Sequence, residues 1–351
     1  MPAQDSMIPP EKIAAVERAL REAFGVTAFE DVRKLTNILP STLIFRIVLQ
    51  GSPYLLRVIL RADDPSCHFA CMRAAADAGL APRVRYTSVE DKIAITDFIE
   101  AVPFPRNQAP VRMAHLLRAL HALPPFPTRA PHINTTCTFL LHKGPALDGY
   151  FEKIRAANIL PPAEAKELFA RHAQLAAIYP LDESNMVSCH NDLFKPDNVL
   201  FDGERLWLID WEAAFLNDRY ADLAVVANLA VTCPAEEQIF LREYFGEEPD
   251  EYRRARFYAA QQLAHMFYAM AFLFLGSLGK ASLGKGSVDE PIDWSEPVPD
   301  FDDLQRRFWS GELSLADSAA KIAYGRVHWK RLQENLRQPR YEESLRIVSL
   351  K

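Results

Sequence analysis

Residues 188–215, SCHNDLFKPDNVLFDGERLWLIDWEAAF, set a histidine, two asparagines and a series of carboxylates among strongly apolar runs. The runs NVLFDG and ERLWLIDW read as two short strands turning at Asp202-Gly203, a strong hairpin signal. One end of that hairpin would carry His190, Asp192, Asp197 and Asn198, and the returning strand would end at Asp210 and Glu212. Carboxylate and amide oxygens are hard ligands that suit Mg²⁺ rather than zinc. A magnesium site with a carboxylate to spare is the equipment of phosphoryl transfer, with metal for the phosphates and base for the hydroxyl. Ordinary turn chemistry would account for Asp197, Asn198 and Asp202. It would not account for His190, Asp192 and Asp210 as well.

The elements that must position these residues follow from periodicity. After a proline start, residues 9–24 repeat their apolar positions at helical spacing. Three β-branched or apolar stretches come next, LIFRIVL (43–49), YLLRVIL (54–60) and KIAITDFI (92–99), the first two joined by the turn QGSP. A helical pattern, CHFACMRAAADAGL, lies between the second and third and ends at Gly79 and Pro82. Strand, strand, helix, strand makes a small α+β lobe. From about residue 109 the pattern turns helical, with helices predicted over 111–123, 162–179, 219–231, 236–245, 251–275, 301–309 and 314–337. The catalytic hairpin supplies the only later strands in this reading. Residues 276–300, rich in Gly, Ser and Pro, read as a long loop.

Composition narrows the function classes. At 351 residues and 49% apolar content the chain can bury a large core, and a net charge of −6 carries no nucleic-acid footprint. The longest apolar run, MFYAMAFLFL at 266–275, is about half of a membrane span. The amino terminus lacks a basic segment followed by an apolar stretch, and five scattered cysteines suit a reducing compartment, so the cytoplasm is expected. Cys67, His68 and Cys71 sit at helical spacing, but a structural zinc site needs about four ligands and no second cluster is evident.

HNDLFKPDN … LWLIDWE resembles the catalytic and metal-binding segments of the aminoglycoside phosphotransferase and choline/ethanolamine kinase superfamily, closely over 188–224 and more loosely over about 30–275. The resemblance implies an α+β, bilobal protein-kinase-like fold. A small antiparallel-sheet N-lobe (1–100) would bind nucleotide, and a larger, mainly helical C-lobe (101–351) would carry catalysis and substrate. It implies ATP and Mg²⁺ as cofactors. Asp192 matches the catalytic-loop aspartate that orients or deprotonates the substrate hydroxyl, and His190 the histidine that buttresses the loop. Asn198 and Asp210 match the two metal ligands. Glu212 resembles an additional acid of the choline kinase branch, in metal or substrate contact. Asp222 matches a helix-start aspartate that braces the catalytic loop, although plain N-capping would also explain it. Five residues separate Asp192 from Asn198 where the family has four. Either the loop bulges by one residue or Asp197 takes the ligand position; the strand-like continuation NVLFDG favours Asn198. Lys195 then resembles the loop lysine of protein kinases, placed to touch the transferred phosphate.

The same resemblance locates a nucleotide end. The loop over the phosphates would be KLTNILPSTLIFRI (34–47), which contains no glycine, so Ser41 and Thr42 would donate hydroxyls instead of close backbone amides. Arg57 occupies the position of the strand lysine or arginine and can pair bidentately with phosphate. Its partner glutamate on the following helix is missing; His68 falls near that position, and Asp63 or Asp64 would have to substitute. AITDFIEA resembles the link between lobes, with adenine bonding to the backbone of Asp97 and Ile99. Phosphate acceptors in this superfamily are small alcohols. HND and IDWE lean towards choline or ethanolamine, whose ammonium aromatic faces would hold; the candidates are Tyr268, on a helical stripe with Phe257, Tyr258, Phe267 and Phe272, and, outside that stripe, Trp211 and Trp309. The acidic stretch 289–303 keeps an aminoglycoside acceptor open. A nucleotide-binding pseudokinase is the alternative from another class, and a carboxylate within about 3 Å of Arg57 would favour the enzyme.

Overall fold

The computed structural model describes residues 8–35, 42–128, 147–180, 182–194, 196–278 and 292–350. Its contacts gather into two compact units: Met1–Val102 with Phe126–Thr128 and Asn198–Glu212, and Pro103–Pro125 with Arg129–Asp197 and Ala213–Lys351. Ser41, Lys195 and most of the 276–300 loop lie outside the described residues.

The first unit is built on a five-stranded antiparallel sheet. Its strands are β1 (Asp31–Lys34), β2 (Thr42–Leu49), β3 (Ser52–Ile59), β4 (Val84–Ser88) and β5 (Ile93–Asp97), in the order β1-β2-β3-β5-β4. Hairpin β2–β3 closes from Leu49 to Ser52 over Gln50 and Gly51, both at positive φ (51° and 73°). Two left-handed positions in a row are what a two-residue turn matching strand twist needs, and glycine takes the second without penalty. Along β2, Phe45, Ile47 and Leu49 are buried at every second position. They meet Ala15, Val16, Ala19 and Leu20 on the apolar stripe of α1 (Pro10–Phe24), while Leu56, Val58, Ile93 and Ile95 extend the same core. Helix α2 (Ser66–Asp77) connects β3 to β4.

The sequence reading has three strands here; the structure adds two. β1 is four residues long and mostly exposed, so no apolar alternation marks it. β4, VRYTS, does carry β-branched and aromatic residues, but a bulge between Val84 and Tyr86 breaks its pairing with β5.

The strands β7 (Val199–Phe201) and β8 (Leu206–Leu208) form the expected hairpin, with Val199 opposite Leu208. Asp202 plays only the turn role. Its carboxylate accepts from the amides of Glu204 and Arg205 and from Trp207 Nε1, and these bonds hold it at about 2. The hairpin packs with the amino-terminal sheet rather than with the helices that surround it in the chain. Leu208 N donates to Leu80 O (2.8 Å) and Val102 N donates to Phe201 O (2.7 Å). A boundary at residue 100 therefore leaves out part of this unit, Asn198–Glu212.

The second unit is mainly helical: α3 (Ala109–His121), α4 (Leu147–Ala157), α5 (Pro162–Ile178), α6 (Arg219–Ala230), α7 (Pro234–Phe245), α8 (Glu251–Ser277), α9 (Phe301–Trp309), α10 (Ser318–Leu336) and α11 (Pro339–Ser349). Helix α8 is the axis. It packs against α4, α5, α6, α10 and α11, and almost every residue from Ala255 to Ser277 is buried. A helix apolar on all sides must be enclosed by protein or lipid; here protein encloses it, and no helix among the described residues is long and apolar enough to cross a membrane. Two further strands, β6 (Met186–Cys189) and β9 (Phe215–Asp218), pair antiparallel with Cys189 opposite Phe215. At four residues each they are too short for periodicity to reveal.

Candidate active site

In the first unit a cavity of about 410 Å³ opens beside the sheet, within the ~300–1,000 Å³ of small-molecule sites. Leu55, Met72, Ala94, Leu200 and Leu208 give it apolar walls, while Arg57, Asp97, Glu100 and Asp210 supply charge. Arg57 stands on β3 opposite Ala94. Its Nη1 is 2.9 Å from Glu212 Oε1, and both terminal nitrogens are 3.1 Å from Asp210 Oδ1. Burial opposes its charge, but the two carboxylates outweigh burial and raise its pKa above the ordinary arginine value. Arg57 stays a cation.

Asp63 and Asp64 do not supply this partner. Asp63 pairs with Arg61, and Asp64 accepts from the amide and hydroxyl of Ser66 at the start of α2. His68 lines the cavity instead of a helix acid. Asp97 and Ile99 also line it. The amide of Asp97 donates to Arg83 O (2.9 Å), and its carboxylate is held by Arg85 at 2.6 and 3.2 Å. What Asp97 can offer a base is therefore its carbonyl. Thr42 is buried and its hydroxyl has no partner among the described residues, yet it is not among the residues that line the cavity.

Asn198 and Asp210 meet at the end of the β7–β8 hairpin. Ile209 N donates to Asn198 O (3.0 Å), which sets Asp210 beside Asn198. Asp210 has φ 67°, a left-handed conformation uncommon outside glycine, which turns its side chain sharply off the strand line. Asn198 is buried whereas Asp197 is exposed. A carboxylate and an amide oxygen at one hairpin end match the hard donor set that Mg²⁺ takes.

In the second unit the loop after β6 is organised around Asp222. His190 N donates to Asp222 Oδ2 and Asn191 N to Oδ1, each at 2.8 Å. His121 Nε2 lies 3.2 Å from Oδ2, and its Nδ1 is 2.7 Å from Tyr244 Oη. Burial pushes the Asp222 carboxyl up, but the His121 hydrogen bond, the nearby imidazole charges and the His190 amide hold it below the ordinary value. Capping of α6 belongs to Asp218, which accepts from Tyr220 N, so Asp222 is a brace for the loop and not the cap. Asn191, at φ 63°, donates to Ala213 O (3.0 Å) and accepts from Asn217 Nδ2 (2.8 Å). His190 and Asp192 are both fully buried. His121, Tyr244 and Asn217 carry no motif of their own; only tertiary placement links them to the loop. His121, Cys189 and Asp222 have ligand atoms within 4.8 Å of one another. Their hydrogen bonds to each other and to Tyr244 make them a packed network beneath the loop. Cys71 is no thiolate ligand either, since burial raises it to about 12.

The aromatic candidates for substrate recognition are otherwise employed. Tyr268 is 1% exposed, and its ring lies tilted against Phe194 of the loop (5.1 Å between centroids) and against His328 (5.3 Å). Its stripe on α8 is core that seats the loop. Trp309 Nε1 donates to Phe104 O (3.0 Å) with the rings 5.6 Å apart. Trp211 is buried edge-on against Phe126 and belongs to the wall of the first unit's cavity.

A sequence profile of the phosphotransferase enzyme family (APH) matches residues 41–258. The chain belongs to that family. Protein LicA of Haemophilus influenzae is 33% identical over 103 residues, 29% of this chain and 38% of LicA, so the matched stretch spans well under half of that relative. Among solved structures, a choline/ethanolamine kinase family protein from Mesorhizobium loti superposes with a TM-score of 0.64 at 20% identity, covering 97% of this chain and 100% of that one. The choline kinase LicA from Streptococcus pneumoniae superposes with a TM-score of 0.54 at 17% identity, covering 85% and 97%. At these identities the likeness shows the fold: the kinase-like α+β fold that the HND and IDWE segments implied.

Proposed function

We propose that this member of the phosphotransferase family transfers the γ-phosphoryl group of ATP to the hydroxyl of a small choline- or ethanolamine-like alcohol, with Mg²⁺ as cofactor. The observation that carries the reading is the charged end of the first unit's cavity, where Arg57 lies 3.1 Å from Asp210 beneath apolar walls of a size suited to a nucleotide. Arg57 pairs with phosphate oxygens, the carbonyl of Asp97 and the backbone of Ile99 receive adenine, and Asn198 and Asp210 hold the metal. Mg²⁺, when bound, neutralises charge developing on the phosphates. Asp192 orients the acceptor hydroxyl and takes its proton as the oxygen attacks phosphorus, while the bridging oxygen leaves with ADP. His190 and Asp222 keep that loop in place. The choline or ethanolamine preference rests on the names of the similar proteins and on IDWE; the aromatic side chains on α8 do not support it. A cytoplasmic setting agrees with an odd number of widely scattered cysteines, five in all.

The test is Mg²⁺-dependent ATP consumption against choline, ethanolamine, homoserine, sugars and aminoglycosides, with Asp192→Ala as blank. Turnover with choline or ethanolamine that vanishes in Asp192→Ala, with nucleotide affinity kept, is the expected result. Turnover by Asp192→Ala equal to wild type refutes the assigned roles. Tight ATP binding without turnover on any acceptor refutes the enzyme in favour of a nucleotide-binding scaffold.

A further inference from the structure

We infer that Glu212, held by Arg61, is the residue that positions Arg57 for the nucleotide, replacing the acid that α2 lacks. The inference rests on the phosphotransferase reading and assigns Glu212 a role different from metal ligation. Helix α2, SCHFACMRAAAD, has no carboxylate before Asp77 at its end. Glu212 uses one oxygen for each of two guanidinium groups: Oε1 is 2.9 Å from Arg57 Nη1, and Oε2 is 2.7 Å from Arg61 Nη2. Arg61 is held in addition by Asp63 Oδ2, 3.0 Å from Nε. The chain of charges thus runs Asp63, Arg61, Glu212, Arg57, Asp210.

Exposure separates the two carboxylates on Arg57. The side chain of Glu212 is 16% exposed and that of Asp210 is 28% exposed. Asp210 lines the cavity and lies beside Asn198; Glu212 does not line it. A cation taken by Asp210 would draw on the carboxylate that also pairs with Arg57, and Glu212 is then the carboxylate that retains the guanidinium. Flanked by two arginines, Glu212 sits in a positive field that disfavours a divalent cation. It is a positioning residue. Without it, Arg57 and Arg61 face each other as like charges and Arg57 falls back on Asp210.

The experiment is calorimetric titration of the full chain with ADP, in EDTA and in saturating Mg²⁺, for wild type, Glu212→Gln, Arg61→Met, Arg61→Lys and Asp210→Asn. Glu212→Gln and Arg61→Met are expected to weaken ADP binding in EDTA by about tenfold each, the scale of one charge-assisted hydrogen bond. The Glu212→Gln/Arg61→Met double variant, titrated alongside, is expected to be no weaker than Glu212→Gln alone, and Arg61→Lys to recover part of the loss. The gain in affinity on adding Mg²⁺ stays at the wild-type factor in all of these and disappears in Asp210→Asn. If Glu212→Gln erases the Mg²⁺ gain as Asp210→Asn does, Glu212 is a metal ligand and the inference is overturned. It is overturned equally if Arg61→Met binds like wild type. Should Glu212→Gln fail to fold, as judged by its thermal transition, the Arg61 pair decides on the same criteria. Wild-type protein that binds no ADP under either condition removes the phosphotransferase reading itself, whereas tight wild-type binding with unaffected variants removes only the role of Glu212.

Discussion

Asp222→Asn tests how the catalytic loop is held. Asparagine keeps the shape of aspartate but removes its charge and replaces one acceptor oxygen with a donor. Asp222 receives three hydrogen bonds, from Asn191 N on Oδ1 and from His190 N and His121 Nε2 on Oδ2. The substituted amide can turn its oxygen towards only one side. If it keeps His190 and His121, the Asn191 amide faces an NH₂ group and is orphaned in a buried site. A hydrogen bond to a charged group contributes ~1.5–3 kcal/mol and an unsatisfied buried donor costs ~1–3 kcal/mol, so the loss of stability should be about 3–5 kcal/mol. The loop cannot relax freely, because Asn191 sits at φ 63° and is pinned by Ala213 and Asn217. Any shift passes to Asp192, one residue on, and a displacement near 1 Å is worth ~10²-fold in rate. Urea unfolding at neutral pH should show the midpoint falling with m unchanged, and kcat should fall with KM for ATP close to wild type. The folded carboxyl of Asp222 lies below its unfolded value, so its stabilisation is present above the unfolded pKa of ~3.9 and is lost as pH falls through the folded value. The gap between wild type and variant should hold from pH 8 to about 5 and close below ~4. A variant with wild-type stability and less than about threefold loss of kcat would refute the account.

Three further outcomes concern the scaffold. His265 and His328 are buried with their Nδ1 atoms 2.9 Å apart, and burial lowers His265 to about 3 and His328 well below its usual value. Both stay neutral when folded while the unfolded chain takes up protons below ~6.5, so stability should fall as pH drops from ~6.5 towards 3, by up to ~1.4 kcal/mol per pH unit for each ring. The His265→Phe/His328→Phe protein should lose that slope in urea midpoints between pH 6 and 4, and an unchanged slope counts against it. Arg256 is 1% exposed and joins Asp218 at 2.8 Å to Asp182 at 3.2 Å. Arg256→Met strands the Asp218 charge and should cost ~3–5 kcal/mol, partly recovered by Asp218→Asn; a loss under about 1 kcal/mol would contradict this. At Gly325 in α10 a Cβ would stand 2.8 Å from Leu273 N of α8. Gly325→Ala should therefore lose the ~1–3 kcal/mol of overpacking, read as a lower melting temperature, although alanine is the better helix former by ~1 kcal/mol; a rise would show that the helices can part.

Legibility differed by the range of the information needed. The β2–β3 and β7–β8 hairpins were readable because turn residues and flanking apolar runs are adjacent in sequence. Helix α8 was readable because it is long. Strands β6 and β9 were not, since four residues such as MVSC hold no measurable period and their pairing spans the whole loop and hairpin between them. The aromatic stripe on α8 was visible as a pattern, but a pattern cannot distinguish a ring that meets a ligand from one that meets Phe194. Tyr268 meets Phe194. Helices α4 and α11 went unread, although α11 opens on Pro339, a start signal present in the sequence.

The partner of Arg57 shows why a site can be legible in its residues and not in its wiring. Arg57, Asp63, Asp210 and Glu212 are candidates in the sequence, whereas Arg61, which joins Asp63 to Glu212, carries no signal there. The search for a partner nevertheless went to α2, a few residues downstream, because the resemblance puts it there. The structure answers from 153 and 155 residues away, where β8 ends. Moving the counter-ion to the turn that carries Asp210 has a physical consequence. A helix acid would restrain Arg57 independently of the metal position, whereas Glu212 shares a backbone turn with it, two residues on from a left-handed aspartate. Glu212, which holds the guanidinium, and Asp210, which offers the metal-site carboxylate, then lie in one stretch of five residues, Leu208–Glu212, so nucleotide affinity without Mg²⁺ depends on Glu212 and the gain from Mg²⁺ on Asp210. Substitutions on α2 that leave the cavity-lining His68 and Met72 in place should affect neither.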